Sequence, residues 1–224
     1  MTPLGDLTWP QAVELRGCVL LVPLGATEQH GPHLPLSTDT DIAVAVANRV
    51  AVGRRDVVVA PPLPYGASGE HAGFAGTLSI GQQALELVVV ELVRSATESF
   101  NRVLLVSGHG GNAEALRRAV DRLTAESRDV RLWSPRWRGD AHAGRTETSV
   151  QLALDAGRVR RELAAAGATG SLGALLPELR RAGVQAVSIN GVLGDPSGAD
   201  ADAGEQLLSA AVADLAALLD GWPA

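Results

Sequence analysis

The sequence has no lysine, and all 19 of its basic residues are arginine. This absence excludes a lysine Schiff base and the phosphate-binding lysine of a P-loop, and no GxxxxGK[ST] motif is present. The formal net charge is −6, and no stripe of basic residues is available to neutralise phosphates. A nucleic-acid-binding function is therefore disfavoured.

Cysteine and long apolar runs are also scarce. The single cysteine, Cys18, cannot form an intrachain disulfide, which fits a reducing cytosol. Residues 1–17 lack the basic segment followed by an apolar segment that is typical of a signal peptide. No apolar run approaches the roughly 18 residues that a membrane helix needs. We therefore expect a soluble, cytoplasmic protein without a membrane partner.

Apolar segments typical of buried strands alternate with segments of helical periodicity. The predicted strands are 17–24, 57–60, 102–107, 130–133 and 184–189. The predicted helices are 42–52, 82–100, 114–126, 175–182 and 204–219. This alternation predicts one α/β domain over residues 1–224, a three-layer α/β/α sandwich with a mostly parallel sheet.

The loop after the first predicted strand is rich in potential metal ligands. Residues 25–41 read GATEQHGPHLPLSTDTD and contain Glu28, His30, His33, Asp39 and Asp41. In open α/β sheets, ligands bind beyond the carboxyl ends of the strands. Imidazole and carboxylate together form a ligand set for zinc, iron or manganese. By its spacing alone, this loop fits a metal site and an ordinary polar βα loop equally well.

All five histidines lie in predicted connecting loops rather than in predicted helices or strands. His109 follows a predicted strand within SGHGGN, whose glycines allow the backbone to approach a ligand closely. His142 lies in DAHAGRTETS, where Glu147 would be a carboxylate at the start of a helix. Glu70 and His71 lie in GASGEHAGFAGTLS, whose small residues favour a wall that faces substrate. Loops of this kind converging on one rim indicate a functional site.

Four motifs in this order and spacing resemble the creatininase family of metal-dependent amidohydrolases. They are GATEQHGPHLPLSTDTD, SGEHAGFAGT, SGHGGN and HAGRTETS. The resemblance implies a creatininase-like fold, a homo-oligomer and two divalent ions per subunit, with Fe²⁺, Zn²⁺ and Mn²⁺ as candidates. It also implies that Glu28 and His109 bind one ion, that His30 binds the other, and that Asp39 bridges them.

This sequence departs from creatininase itself at Gly111, where creatininase has a glutamate that completes the second metal site. We expect Glu147 to replace it, because HAGRTETS is the only other motif that offers a carboxylate near a histidine. In the mechanism that the resemblance implies, His142 is a general acid and base, and Glu147 belongs to the catalytic group. Arg145, where many relatives carry a glutamate, is a predicted substrate contact, as are Glu70 and His71.

Within the family, the motifs look most like a branch of peptidases that act on a modified ribosomal precursor peptide. That branch implies hydrolysis that releases a C-terminal, crosslinked Val-Tyr-derived unit. A formamide deformylase is an alternative, in which arginines 136, 138 and 145 would bind a ribose phosphate. Creatinine amidohydrolase is a second alternative, disfavoured by Gly111. A non-catalytic scaffold is disfavoured because the predicted metal ligands are intact.

Overall fold

The computed structural model describes residues 3–222, and its centre is a four-stranded, wholly parallel sheet. The strands are β1 (Val19–Leu24), β2 (Val57–Val59), β3 (Arg102–Ser107) and β4 (Asp129–Trp133). Their order in the sheet is β2-β1-β3-β4, which places β1 and β3 at the centre. All six residues of β1 are buried, as expected for a parallel strand covered on both faces.

Helices cover both faces of this sheet. The α-helices of the described residues are α1 (Trp9–Val13), α2 (Thr38–Ala51), α3 (Gly81–Ala96), α4 (Ala113–Ala125), α5 (Arg145–Asp155), α6 (Leu172–Ala182), α7 (Val184–Val187) and α8 (Ala201–Asp220). One apolar core joins α2, α5 and α8 to Val19 and Leu21 of β1. A second core joins α3 and α4 to Leu20 and Val22, the alternate residues of the same strand. The predicted three-layer α/β/α sandwich is confirmed.

Four of the five predicted strands are confirmed, and the strand predicted over 184–189 is wrong. Residues Val184–Val187 form the short helix α7, which follows Gly183 at φ +76°. The Ser188 backbone N–H donates to the carbonyl of Val184, and Ile189 is 93% exposed. Only Val184 of this helix is buried, so the apolar residues of the segment have no sheet neighbour to pack against.

The first predicted helix, over residues 42–52, begins earlier than predicted. Helix α2 starts at Thr38 rather than at residue 42, so Asp39 and Asp41 lie in its first turn. Carboxylates in this position are favoured by the positive end of the helix dipole. This earlier start places Asp39 near the carboxyl ends of β1 and β3, whose pairing extends to Leu24 and Ser107. Within residues 3–222, no helix is long and apolar enough to cross a bilayer.

Candidate metal centre

Five of the predicted site residues converge at the carboxyl edge of the sheet. Glu28 and His30 lie in the connection from β1 to α2, and Asp39 lies in the first turn of α2. His109 follows β3, and Glu147 lies in the first turn of α5. Glu28 and His30 are completely buried, and Asp39 and His109 are nearly so. Buried ionisable groups at such density need partners or a metal ion.

Asp39 stands between two histidines and offers one carboxylate oxygen to each. Its Oδ1 lies 3.2 Å from Nε2 of His30, and its Oδ2 lies 3.1 Å from Nδ1 of His109. The other nitrogen of His109, Nε2, lies 3.2 Å from Oε2 of Glu28. Asp39 therefore links the side of the cluster that contains Glu28 to the side that contains His30.

The cluster contains three sets of possible ligand atoms, and two of these sets share Asp39. The two sets are Glu28, Asp39 and His109, and His30, Asp39 and Glu147; the third set is Glu28, His30 and His142. Within each set the ligand atoms lie within 4.8 Å of one another. Both carboxylate oxygens of Glu28, and Oδ2 of Asp39, are buried without a hydrogen-bond partner. Such oxygens are costly to bury unless a cation satisfies them. The residues present therefore fit divalent metal binding.

Glu147 and Gly111 occupy different sides of this cluster. Oε2 of Glu147 lies 3.9 Å from Nε2 of His30 and accepts a 2.6 Å hydrogen bond from the backbone N–H of Ala143. A Cβ placed at Gly111 would lie 2.3 Å from Nε2 of His109 and 2.4 Å from Oε1 of Glu70. Position 111 therefore has no room for a side chain, whereas Glu147 of α5 offers a carboxylate beside His30.

Replacement of Gly111 with alanine is expected to weaken metal binding at least tenfold. The added methyl group would displace the ring of His109, and small displacements of a positioned group are costly. Metal titration of the purified variant measures the effect. Gly110→Ala is the matched control, because a Cβ at Gly110 meets no atom within 4 Å. Equal metal affinity in the two variants would contradict the crowding argument.

The charges of the cluster shift the pKa values of its members in opposite directions. Burial, reinforced by the charge of Asp39, raises the pKa of Glu28 to about 8. Burial alone would lower the pKa values of His30 and His109, but the surrounding carboxylates, above all Asp39, raise both to about 10. Burial likewise acts to raise the pKa of Asp39, yet those two histidines lower it strongly. The protons on His30 and His109 supply the positive charge that a bound cation would replace.

Metal affinity is expected to fall as the pH is lowered from about 8 to about 6. Histidine binds a metal only as neutral imidazole, and pKa values raised to about 10 keep His30 and His109 protonated over this range. Binding must therefore release protons, and added acid competes with the metal. Calorimetric titrations with zinc in buffers of different ionisation enthalpy count the released protons. A binding constant that is independent of pH would contradict this charge assignment.

Two further histidines lie beside the same carboxylate. Nε2 of His71 lies 3.3 Å from Oε1 of Glu28, and Nδ1 of His142 lies 3.8 Å from that oxygen. The ring of His142 is 4.3 Å from that of His30 between centroids. Burial, with the nearby charge of His30, lowers the pKa values of both His71 and His142, that of His71 to about 3. Both imidazoles are therefore neutral near pH 7.

The remaining predicted site residues have different surroundings. Glu70 is partly exposed, and its Oε1 lies 3.8 Å from Nε2 of His109. Arg145 instead lines a separate cavity of about 550 Å³, together with Arg138 and residues of α8. Nε2 of His33 lies 2.9 Å from Oγ1 of Thr148, and Asp41 pairs with an arginine of the surface. His33 and Asp41 thus belong to none of the three sets of ligand atoms.

Sequence reasoning missed the side chains of Gln29 and Ser68. Gln29 is buried, and its amide contacts His71, His142 and the carbonyl of Gly191. Ser68 is also buried, and its Oγ lies 3.5 Å from Nε2 of His109. In the sequence, Gln29 is marked only by its place between Glu28 and His30, two predicted ligands. Successive side chains of an extended chain point to opposite sides, and this pattern predicts that Gln29 points away from those ligands.

The parallel sheet and the carboxylate–histidine cluster at its carboxyl edge define a class of protein, the metal-dependent hydrolases. The chain belongs to the creatininase family: the family profile described as creatinine amidohydrolase matches residues 5–219. The resemblance seen in the four motifs is thereby confirmed. Members of this family hydrolyse amide bonds, and this chain is a hydrolase of that kind.

Similar proteins extend over nearly the whole chain. The mycofactocin precursor peptide peptidase of Mycolicibacterium smegmatis is 51% identical over 211 residues, which cover 91% of this chain and 85% of that protein. A mutant creatininase structure described as the Zn-Zn type has a TM-score of 0.80 at 26% identity and covers 100% of both chains. A structure described as creatininase Mn has a TM-score of 0.80 at 27% identity and covers 99% of this chain and 98% of its own. Creatininase structures therefore carry zinc or manganese.

Proposed function

We propose that this protein is a metal-dependent peptidase of mycofactocin biosynthesis. It hydrolyses the modified precursor peptide and releases the C-terminal, crosslinked Val-Tyr-derived unit. The observation that carries this proposal is the 51% identity with a peptidase of that name across 91% of this chain. The metal cluster supports the chemistry, because a buried carboxylate shared by two ligand sets is suited to holding two cations close together.

We assign two divalent cations to the cluster. Glu28 and His109 would hold one, His30 and Glu147 would hold the other, and Asp39 would serve both. Fe²⁺, Zn²⁺ and Mn²⁺ all accept imidazole and carboxylate ligands. When bound, such ions polarise a carbonyl and lower the pKa of water toward about 7, which supplies a nucleophile at neutral pH.

His142 is the proposed general acid and base. Its Nε2 donates to the backbone carbonyl of Gln29 over 2.8 Å, which leaves a lone pair on Nδ1 near Glu28. Because the imidazole is neutral, Nδ1 can accept a proton from the attacking water and pass it to the leaving nitrogen. His71 and Glu70 line the same side of the cluster and are proposed substrate contacts. The role of Arg145 as a substrate contact stays a prediction, because Arg145 lines a separate cavity.

The substrate assignment is tested by incubating the metal-loaded protein with the precursor peptide, after modification by its radical enzyme. Mass spectrometry is expected to show release of the C-terminal dipeptide-derived unit. The same peptide without modification is the matched control and is expected to be cut more slowly. No cleavage of the modified peptide by a protein carrying two metal equivalents would overturn the substrate assignment.

One observation keeps the formamide deformylase alternative in the test. Arg138 and Arg145 line the same cavity of about 550 Å³, where two guanidinium groups could bind a phosphate. A formamide that carries a ribose phosphate should therefore be assayed in parallel. Faster turnover of that compound than of the peptide would favour the alternative.

The predicted cytoplasmic location and homo-oligomeric assembly stay predictions.

A further inference from the structure

The side chain of Gln29 lies in a buried position between two histidines of the site. Its Nε2 is 2.8 Å from Nδ1 of His71 and 3.1 Å from the carbonyl oxygen of Gly191. Its Oε1 accepts a 2.9 Å hydrogen bond from the backbone N–H of Gly31. This last bond identifies the oxygen end of the amide, so the NH₂ group is the end that faces the histidines.

The hydrogens of this amide determine which nitrogen of His71 carries a proton. The NH₂ group has two hydrogens, one for the carbonyl of Gly191 and one for Nδ1 of His71. Since Nδ1 accepts, it is unprotonated, and the proton of the neutral ring sits on Nε2. That nitrogen lies 3.3 Å from Oε1 of Glu28. His71 therefore presents a donor toward a carboxylate that has no hydrogen-bond partner within residues 3–222.

The backbone of the same residue determines the tautomer of His142. Nε2 of His142 lies 2.8 Å from the carbonyl oxygen of Gln29, which only accepts hydrogen bonds. Nε2 of His142 must therefore be protonated. Nε2 of Gln29 lies 3.1 Å from it, but both hydrogens of that amide are donated to Gly191 and His71, so this contact is not a hydrogen bond. The lone pair of His142 then sits on Nδ1, the nitrogen nearer Glu28.

The chain around Gln29 is shaped to admit its amide. Gly191 has φ +80°, and a Cβ there would lie 1.9 Å from Oε1 of Gln29. Any other residue at position 191 would be strained and would push the amide out of place. The backbone at Gly191 thus both accepts the amide's hydrogen bond and leaves room for it.

We propose that Gln29 is a positioning residue that selects the Nε2-protonated tautomer of both His71 and His142. It makes His71 a hydrogen-bond donor beside Glu28, and it leaves Nδ1 of His142 free to accept a proton. The catalytic consequence rests on the proposed function, in which His142 acts as general acid and base. The tautomers themselves do not depend on the substrate and can be measured without it.

Long-range ¹H–¹⁵N correlation spectra of protein labelled with ¹⁵N-histidine and stripped of metal by chelation test the proposal. Wild-type spectra should show His71 and His142 both protonated at Nε2 and unprotonated at Nδ1, with signals assigned by single histidine replacements. In Gln29→Glu the carboxylate can only accept, so Nδ1 of His71 should become protonated. Gln82→Glu is the matched control, because Gln82 also bridges a backbone carbonyl and a backbone N–H without touching a histidine.

A wild-type His71 protonated at Nδ1, or an unchanged His71 signal in Gln29→Glu, would overturn the proposal. If Gln29→Glu does not fold, the wild-type spectrum decides the question alone, and Gln29→Met should show a mixture of both His71 tautomers. In the peptide assay, loss of such an orienting group should lower kcat by about 10–100-fold while two metals are retained. Failure of the peptide assay with the expected tautomers would instead contradict the proposed function.

Discussion

Replacement of Asp39 with alanine is expected to abolish both metal binding and hydrolysis. Asp39 is the one residue present in both of the ligand sets centred on His30 and His109, so its loss removes a ligand from each. It also leaves two histidines without the carboxylate that raises their pKa values to about 10. Metal ions contribute several kcal/mol to such reactions, so the rate should fall by about a thousandfold or more.

Asp41→Asn is the matched control for this experiment. Asp41 lies in the same first turn of α2, but its Oδ2 accepts from Ser37 and pairs with Arg158 at 2.8 Å. It belongs to none of the ligand sets, so this variant should keep its metal and its activity. Elemental analysis of both purified variants, together with a peptide cleavage assay, gives the comparison. Two metal equivalents in Asp39→Ala would disprove its role as a shared ligand.

Replacement of Glu147 with glutamine is expected to reduce the metal content from two equivalents to one. Glu147 supplies the second carboxylate of the set that contains His30 and Asp39. Without it, that set keeps one imidazole and a shared carboxylate, too few ligands for a stable site. We expect hydrolysis to fall at least a hundredfold, because one cation cannot hold water and polarise a carbonyl together.

A second variant separates this metal effect from a helix effect. Glu147 lies in the first turn of α5, where loss of a carboxylate costs about 0.3–1 kcal/mol of stability. Asp202 has the same place in α8 and is exposed, so Asp202→Asn should show a comparable loss of stability with full activity. If the Glu147→Gln variant still binds two metal ions, Glu147 is not the ligand and another carboxylate must be. Glu28 would then be the first candidate, because it also forms a set of possible ligands with His30 and His142.

Much of the fold was predictable because strands covered on both faces are continuous apolar runs. The segments around Val19–Leu24 and Arg102–Ser107 have that pattern, and both became central strands. Residues 184–189 carry a similar pattern but form a helical turn. A short apolar run does not distinguish strand from helix, and its state depends on whether a sheet edge is available.

The sequence by itself placed Glu28, His30, Asp39 and His109 after predicted strands, at the edge where ligands bind in open α/β sheets, and the resemblance of its motifs to the creatininase family implied that these residues bind metal. Only the tertiary structure decided the roles of the residues around them. The packing of α5 directs Glu147 at His30, while Arg145, two residues away, lines another cavity. Successive helix residues are rotated by about 100°, so the packing of the helix determines which side chain enters the site. Gln29 acquires its position in the same way, through contacts with Gly191 and His71 that are distant in sequence.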